Sequence, residues 1–159
     1  MGVLIAAVGV WQWIGSTEPP GGSDGDGAAF QRMKALADND DQAGMAKAIA
    51  VKDVKTACRS VRAMGRVGPK AILGIRVAMK DPRPEVRQEA MIAVSRAGSE
   101  KELPDLATVL IKDESPIVRA GAALTLGRMK AYTKVEMLLE AMGDDDVNVR
   151  RRANKAIEK

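Results

Sequence analysis

The chain has 159 residues, 46% hydrophobic but only 3% aromatic, with a formal net charge of +4, one cysteine and no histidine. That is length for one ordinary domain with an aliphatic core. One thiol and no imidazole exclude an internal disulfide, the usual multi-ligand zinc site and any triad with a histidine base, so no metal or cofactor is expected.

Residues 1–14 are apolar except for Gln12. As a helix they would span ~21 Å, short of a ~30 Å hydrocarbon core. They lack the basic start and small-residue cleavage site of a signal peptide, and Trp11 and Trp13 suit a membrane–water interface. The expectation is an N-terminal membrane anchor, short by several residues, with the repeat domain outside the cytoplasm. A cleaved signal, or a helix docked on the rest of the chain, are the alternatives. Residues 15–27, rich in Gly, Pro, Ser and Asp, read as a disordered linker that reaches roughly 20 Å. No Lys or Arg precedes Arg32, so the positive charge belongs to the remainder, residues 28–159.

From Ala28 onward the pattern is helical. A first helix, Ala28 to Ala37, carries Phe30, Met33 and Leu36, and Asp38 to Asp41 form a turn. A second helix, Gln42 to Val51, turns Met45, Ile49 and Val51 inward. Asp53 caps a third helix whose stripe is Val54, Ala57, Cys58 and Val61. Gly65 and Gly68 stop it, and Pro69 opens the next. Helices then follow at about 69–80, 83–97, 99–112, 115–129, 131–142 and 146–158. Ser99 and Glu102 form a capping box, and Pro104 calls for a late start or a kink.

Within these helices one string is written three times. Asp81-Pro82-Arg83-Pro84-Glu85-Val86-Arg87 returns as Asp113-Glu114-Ser115-Pro116-Ile117-Val118-Arg119 and as Asp144-Asp145-Asp146-Val147-Asn148-Val149-Arg150. Each Arg is followed three residues later by Ala90, Ala122 or Ala153. A period of this size marks a stacked repeat. Val86, Ala90 and Val94 lie four residues apart on one stripe, as do Val118, Ala122 and Leu126, and Val149, Ala153 and Ile157.

This string, preceded by an amphipathic helix, resembles the HEAT repeat, most closely the HEAT-like subgroup named after phycobilisome lyases. Residues 81–159 carry the likeness and residues 41–80 a degenerate copy, in which Met64-Gly65 aligns with Leu126-Gly127. The resemblance implies an all-α fold, a right-handed α-solenoid (an α-α superhelix) of about four HEAT-like helix pairs. It also implies a structural ladder in which Arg87, Arg119 and Arg150 pair with Asp81, Asp113 and Asp144 of their own or the neighbouring repeat. It is nearly silent on function, and a lyase or chromophore role would rest on the subgroup's name alone.

A second column of cations stands at the end of each repeat's second helix: Arg66, Arg96, Arg128 and Lys159. Arg59 and Arg62 lie near one end of it, Arg151, Arg152 and Lys155 near the other. Helix-dipole complementation explains such a column, and so does a basic rim that holds a partner. The candidate rim is Arg59, Arg62, Arg66, Arg96, Arg128, Arg151, Lys155 and Lys159. Asp38 to Asp41 fail as a calcium loop because Ala43 and Ile49 stand where Gly and Glu belong. The Asp144 to Asp146 run reads as a helix cap, Gly65 to Lys70 lacks the spacing of a phosphate cradle, and Cys58 is packing. No catalytic residue emerges. The expected function is a non-enzymatic protein-interaction module or scaffold, tethered to a membrane through residues 1–14, with an acidic protein as partner and no small-molecule substrate. The alternative is a nucleic-acid-binding module that uses the basic rim.

Overall fold

Repeated apolar stripes on short helices leave each hairpin with a face it cannot bury alone, and stacking is the solution the chain adopts. The structure, a computed structural model, describes residues 3–7, 10–14, 25–98, 100–129 and 135–158. The helices are α1 (Gly25–Asp38), α2 (Gln42–Ile49), α3 (Val54–Val67), α4 (Ile72–Ala78), α5 (Pro84–Ala97), α6 (Leu103–Lys112), α7 (Pro116–Arg128), α8 (Val135–Ala141) and α9 (Val147–Ile157). They alternate between two layers. Helices α1, α3, α5, α7 and α9 lie side by side in one layer. Helices α2, α4, α6 and α8 form the other, each packed on the helix that follows it. The fold is an α-solenoid that comprises, among the described residues, four such pairs, with α1 added at the end of the first layer.

The core runs between the layers. Val86, Ala90 and Val94 of α5, Val118, Ala122 and Leu126 of α7, and Val149 and Ala153 of α9 have no exposed surface. Met33, Met45, Met64 and Met91 are equally buried and fill irregular gaps between the aliphatic side chains. Each fully buried Leu or Met contributes roughly 1.5–3 kcal/mol against exposure.

Within the first layer the helices approach closely because one contact position is small. Gly65 of α3 lies on Ala93 of α5, and Gly127 of α7 lies on Ala156 of α9. A Cβ added at either glycine would come within 2.9 Å of the neighbour's Cα. Between α5 and α7 the corresponding pair is Ser95 and Thr125. There the buried Thr125 hydroxyl donates to the Met91 carbonyl at 2.8 Å, so a polar side chain is satisfied across the helix contact.

Several boundaries differ from the sequence pattern. Helix α1 begins at Gly25, inside the expected linker. A 3-10 turn, Pro69–Ala71, precedes α4. Another, Glu100–Glu102, precedes α6, which starts at Leu103 with Pro104 in its first turn, the late start that Pro imposes. Ser99 lies outside the described residues, as do residues 131–134 of the expected 131–142 helix and most of the expected linker. Glu102 is nearly buried and accepts from Arg76 Nη2 of α4, in the preceding pair, at 2.6 Å, a partner that the capping-box reading missed.

The N-terminal expectation is overturned. Val3–Ala7 and Val10–Ile14 form two antiparallel strands, β1 and β2, in the register Val3 to Ile14 through Ala7 to Val10. Val3, Ile5, Val10 and Ile14 are β-branched and Trp11 and Trp13 aromatic, the composition that favours extended backbone. Among the described residues no helix is long and apolar enough to cross a membrane. The membrane anchor, and the membrane-bound location that rested on it, are withdrawn.

Candidate binding surface

The ladder places its arginines one turn into α5, α7 and α9, and its aspartates at the loop before each of these helices. Arg87 holds both sides of the joint. Its Nη1 donates to the main-chain oxygens of Asp81 and Pro82 at 2.9 and 3.0 Å, while Nε and Nη2 donate to the two carboxylate oxygens of Asp113 at 2.9 and 3.0 Å. Arg119 repeats this. Nη1 reaches the Asp113 and Glu114 carbonyls at 2.9 and 3.3 Å, and Nε and Nη2 reach Asp144 at 2.7 and 2.9 Å. The aspartates also accept from their own loops: Asp113 from the Ser115 amide and Asp144 from the Asp146 amide. Each arginine therefore joins its own loop to the carboxylate of the next repeat. Asp144 is held below the usual carboxylate range, first by the Arg119 hydrogen bond, against the opposing effect of burial.

The first copy is different. Ala57 stands at the ladder position of α3, so Asp81 has no arginine from the preceding repeat. Arg83 supplies one from within the loop. Its Nε and Nη2 donate to Asp81 at 2.8 Å each. Nη1 and Nη2 also reach back to the carbonyls of Val51 and Ile49 at 2.7 and 2.8 Å. Sequence reasoning did not single out Arg83. Its signal was internal: Ser115 and Asp146 occupy the same position in the copies whose preceding repeat does carry the arginine.

The rim residues fall on the outer side of the first layer. Counted from the ladder position, the fifth and ninth residues face away from the core: Arg62 and Arg66 in α3, Ile92 and Arg96 in α5, Leu124 and Arg128 in α7, Lys155 in α9. Lys159 lies outside the described residues. The row does not behave as one unit. Arg62 makes a paired contact with Glu89 of α5, with Nε and Nη2 at 3.1 and 3.0 Å. Arg59 Nε stands 3.2 Å from Asp26 of α1, and the Arg66 guanidinium lies 4.6 Å from the Phe30 ring centre. These three tie α3 to its neighbours. Among the described residues, Arg96, Arg128, Arg152 and Lys155 meet no carboxylate, and Arg151 reaches only the side chain of Asn148, at 3.2 Å. The open cations are thus those of α5, α7 and α9, with partly exposed Ile92 and Leu124 between them.

Other candidates close. Cys58 is half-buried, and its thiol is pushed up by burial and by Glu89, so it carries little thiolate. Asp41 caps α2 through the Gly44 amide at 2.8 Å, and Asp146 caps α9. A shallow depression beside Arg119 is lined by Ile111, Glu140, Ala141, Gly143, Asp144 and Asp145, but Arg119 and Asp144 belong to the ladder. Among the described residues no three His, Cys, Asp or Glu side chains converge as a metal site would require.

Residues 103–159 match the family model for HEAT repeats, which covers α6 to α9. Among solved structures the fold is similar to that of human deoxyhypusine hydroxylase in complex with glycerol, at a TM-score of 0.64 and 21% identity. The match covers 74% of this chain and 42% of that one, so the chain spans less than half of the hydroxylase. No curated protein sequence matches the chain. The likeness is one of fold. It corrects one expectation all the same: the same architecture carries an enzyme, so a repeat fold gives no ground for a non-enzymatic role. The reading as a non-enzymatic, membrane-tethered scaffold does not stand.

Proposed function

We propose that this HEAT-repeat domain recognises an acidic segment of another protein along the outer side of its first layer. The observation that carries the reading is the split in the basic row. The α3 cations are spent on Asp26, Phe30 and Glu89, whereas Arg96, Arg128, Arg151, Arg152 and Lys155 project without a carboxylate among the described residues. Side chains that only complement helix dipoles need not share one face. Here they do, beside the apolar side chains of Ile92 and Leu124, a pattern that suits a segment alternating acidic and apolar side chains. Recognition of this kind serves a bound partner or a protein substrate equally. The finer likeness to the phycobilisome-lyase-type subgroup rests on the Asp-x-x-Pro-x-Val-Arg string and supports no chemistry of its own.

The test is binding of a fluorescent Glu/Asp-rich peptide, measured by anisotropy at low and at high salt. Binding that weakens with salt and is abolished by Arg96→Glu/Arg128→Glu, with unchanged thermal melting, supports the reading. Equal binding by that variant overturns it. An oligonucleotide that binds more tightly than the peptide, with a steeper salt dependence, would transfer the surface to nucleic acid.

A further inference from the structure

On the outer side of the first layer α5 and α7 repeat one another. Ile92 and Arg96 of α5 return in the next repeat as Leu124 and Arg128 of α7. Both arginines are exposed and both aliphatic residues partly so. Within each helix the two stand four residues apart, about 6 Å along the axis. An apolar row and a cationic row therefore run side by side across the helices. Their neighbours set the limits. In α3 the same two positions are Arg62, held by Glu89, and Arg66, held over the Phe30 ring. The counterpart of Glu89 in α7 is Gly121, so the bridge that closes the α3–α5 joint is missing from the α5–α7 joint. Toward α9 the apolar row ends in the exposed Lys155.

The step from α5 to α7 decides what form of chain fits. The Thr125 hydroxyl of α7 donates to the Met91 carbonyl of α5 at 2.8 Å, so the two helices are in direct contact, and helices in contact lie ~8–10 Å apart. Equivalent side chains of α5 and α7 are separated by that step. In a β-strand, side chains on one face recur every ~6.8 Å, which falls short. In an α-helix one face recurs after one turn at ~5.4 Å and after two at ~10.8 Å, first short and then long. Three residues of polyproline II advance ~9.3 Å in one full turn, which brings the same face to each helix in succession. That conformation is extended before it binds and has no internal hydrogen bonds to lose, so a shallow surface has little ordering to oppose it.

We infer that the ledge formed by Ile92, Arg96, Leu124 and Arg128 binds an acidic, proline-containing segment of a partner protein in the polyproline II conformation. Acidic side chains three residues apart lie over Arg96 and Arg128, and apolar side chains three residues apart over Ile92 and Leu124. The inference rests on the acidic-partner reading above and sets the interval at which the acidic and apolar side chains follow one another. At α9 the apolar position of the next triplet meets Lys155 and becomes acidic as well.

Three blocked, fluorescent nonapeptides of one composition test the interval, by anisotropy on the full chain at low salt. In the first, Glu-Leu-Pro is written three times. The others keep three Glu, three Leu and three Pro but set the acids two apart (Glu-Leu-Glu-Leu-Glu-Leu-Pro-Pro-Pro) or four apart (Glu-Leu-Pro-Leu-Glu-Pro-Leu-Pro-Glu). The triplet peptide is expected to bind about fivefold more tightly than either, the worth of one exposed ion pair held in register. Arg128→Gln, with unchanged thermal melting, should abolish that advantage. Equal binding of all three peptides, lost in Arg96→Glu/Arg128→Glu, overturns the triplet interval and leaves the acidic-partner reading standing. Tighter binding by an alanine-based helical peptide with its acids seven residues apart overturns the polyproline II conformation in the same way. Displacement of the triplet peptide by an oligonucleotide at lower concentration overturns both readings, as does the failure of every acidic peptide to bind.

Discussion

Arg119 grips Asp144 through two parallel hydrogen bonds of 2.7 and 2.9 Å, and the two residues belong to successive repeats. Both side chains are nearly buried, at 14% and 11% exposure. Removing one partner leaves a charge that the surrounding helices cannot solvate. Arg119→Ala is therefore expected to cost about 3 kcal/mol in chemical denaturation. Arg150→Ala removes only loop contacts at an exposed position and should cost no more than about 1 kcal/mol. Equal losses would mean that the inter-repeat half of the joint contributes nothing.

The same geometry sets a direction for pH. Asp144 lies below the ordinary carboxylate range because Arg119 donates to it, and Asp81 does so because Arg83 donates to it. A carboxyl group lowered in the folded state binds protons more readily when unfolded. Its stabilisation is complete above the unfolded value of about 3.9 and is lost as pH falls through the lower folded value. The denaturation midpoint should accordingly be flat from neutral pH to about pH 5 and fall below about pH 4. Asp38 is lowered to about 2 by Lys70 and then Lys34, but its ion pairs are exposed to solvent and should add little. The acid-side fall should be shallower in Arg119→Ala. An identical fall in that variant would separate the acid sensitivity from Asp144.

Arg83 offers a sharper test, because it stands in for an arginine that α3 lacks. It spans the Asp81 carboxylate and the carbonyls of Ile49 and Val51 at the end of α2 and just beyond it, and a lysine cannot reach all four acceptors at once. Arg83→Lys should lose about 1–2 kcal/mol. The loss should appear as faster amide exchange in α2 and α3, the pair that Arg83 fastens to the rest. Uniform exchange across all pairs would show that the contact does not act at that joint.

The solenoid was legible because its causes are local and repeated. The Val86-Ala90-Val94 stripe and its two copies state which side of each helix is buried, and burial follows that statement, with Ile157 of the last stripe only partly covered. The ladder partners were narrowed to the same or the next repeat, and the choice depends on where stacking sets Asp113 and Asp144 relative to Arg87 and Arg119. Arg83 was illegible one copy at a time, since its role exists only because Ala57 is not an arginine. The split of the basic row was hidden for a related reason. Asp26, Phe30 and Glu89 are far in sequence from the cations they engage, and only the side-by-side packing of α1, α3 and α5 brings them together. The strands Val3–Ala7 and Val10–Ile14 were misread because a short apolar run has no period that separates strand from helix.

Two glycines of α7 should respond in opposite directions to the same substitution. Alanine gains about 0.8–1 kcal/mol over glycine in a helix interior, and this holds at Gly121 and at Gly127 alike. At Gly127 the new Cβ would stand 2.7 Å from the Ala156 Cβ and 2.9 Å from its Cα, so the backbone of α9 must move. Overpacking of this kind costs about 1–3 kcal/mol and should exceed the gain. At Gly121 the nearest atom is the Met91 Cβ at 3.4 Å, an ordinary contact, and the gain should survive. Gly127→Ala is thus expected to lower the melting temperature and Gly121→Ala to raise it. Ala122→Leu, at a core position with no exposed surface, should also lose about 1–3 kcal/mol. If Gly127→Ala melts at or above the parent, α7 and α9 are not in the close register that sets Gly127 of one repeat against Ala156 of the next, and the spacing that aligns Arg119 with Asp144 would have to be set by the ladder alone.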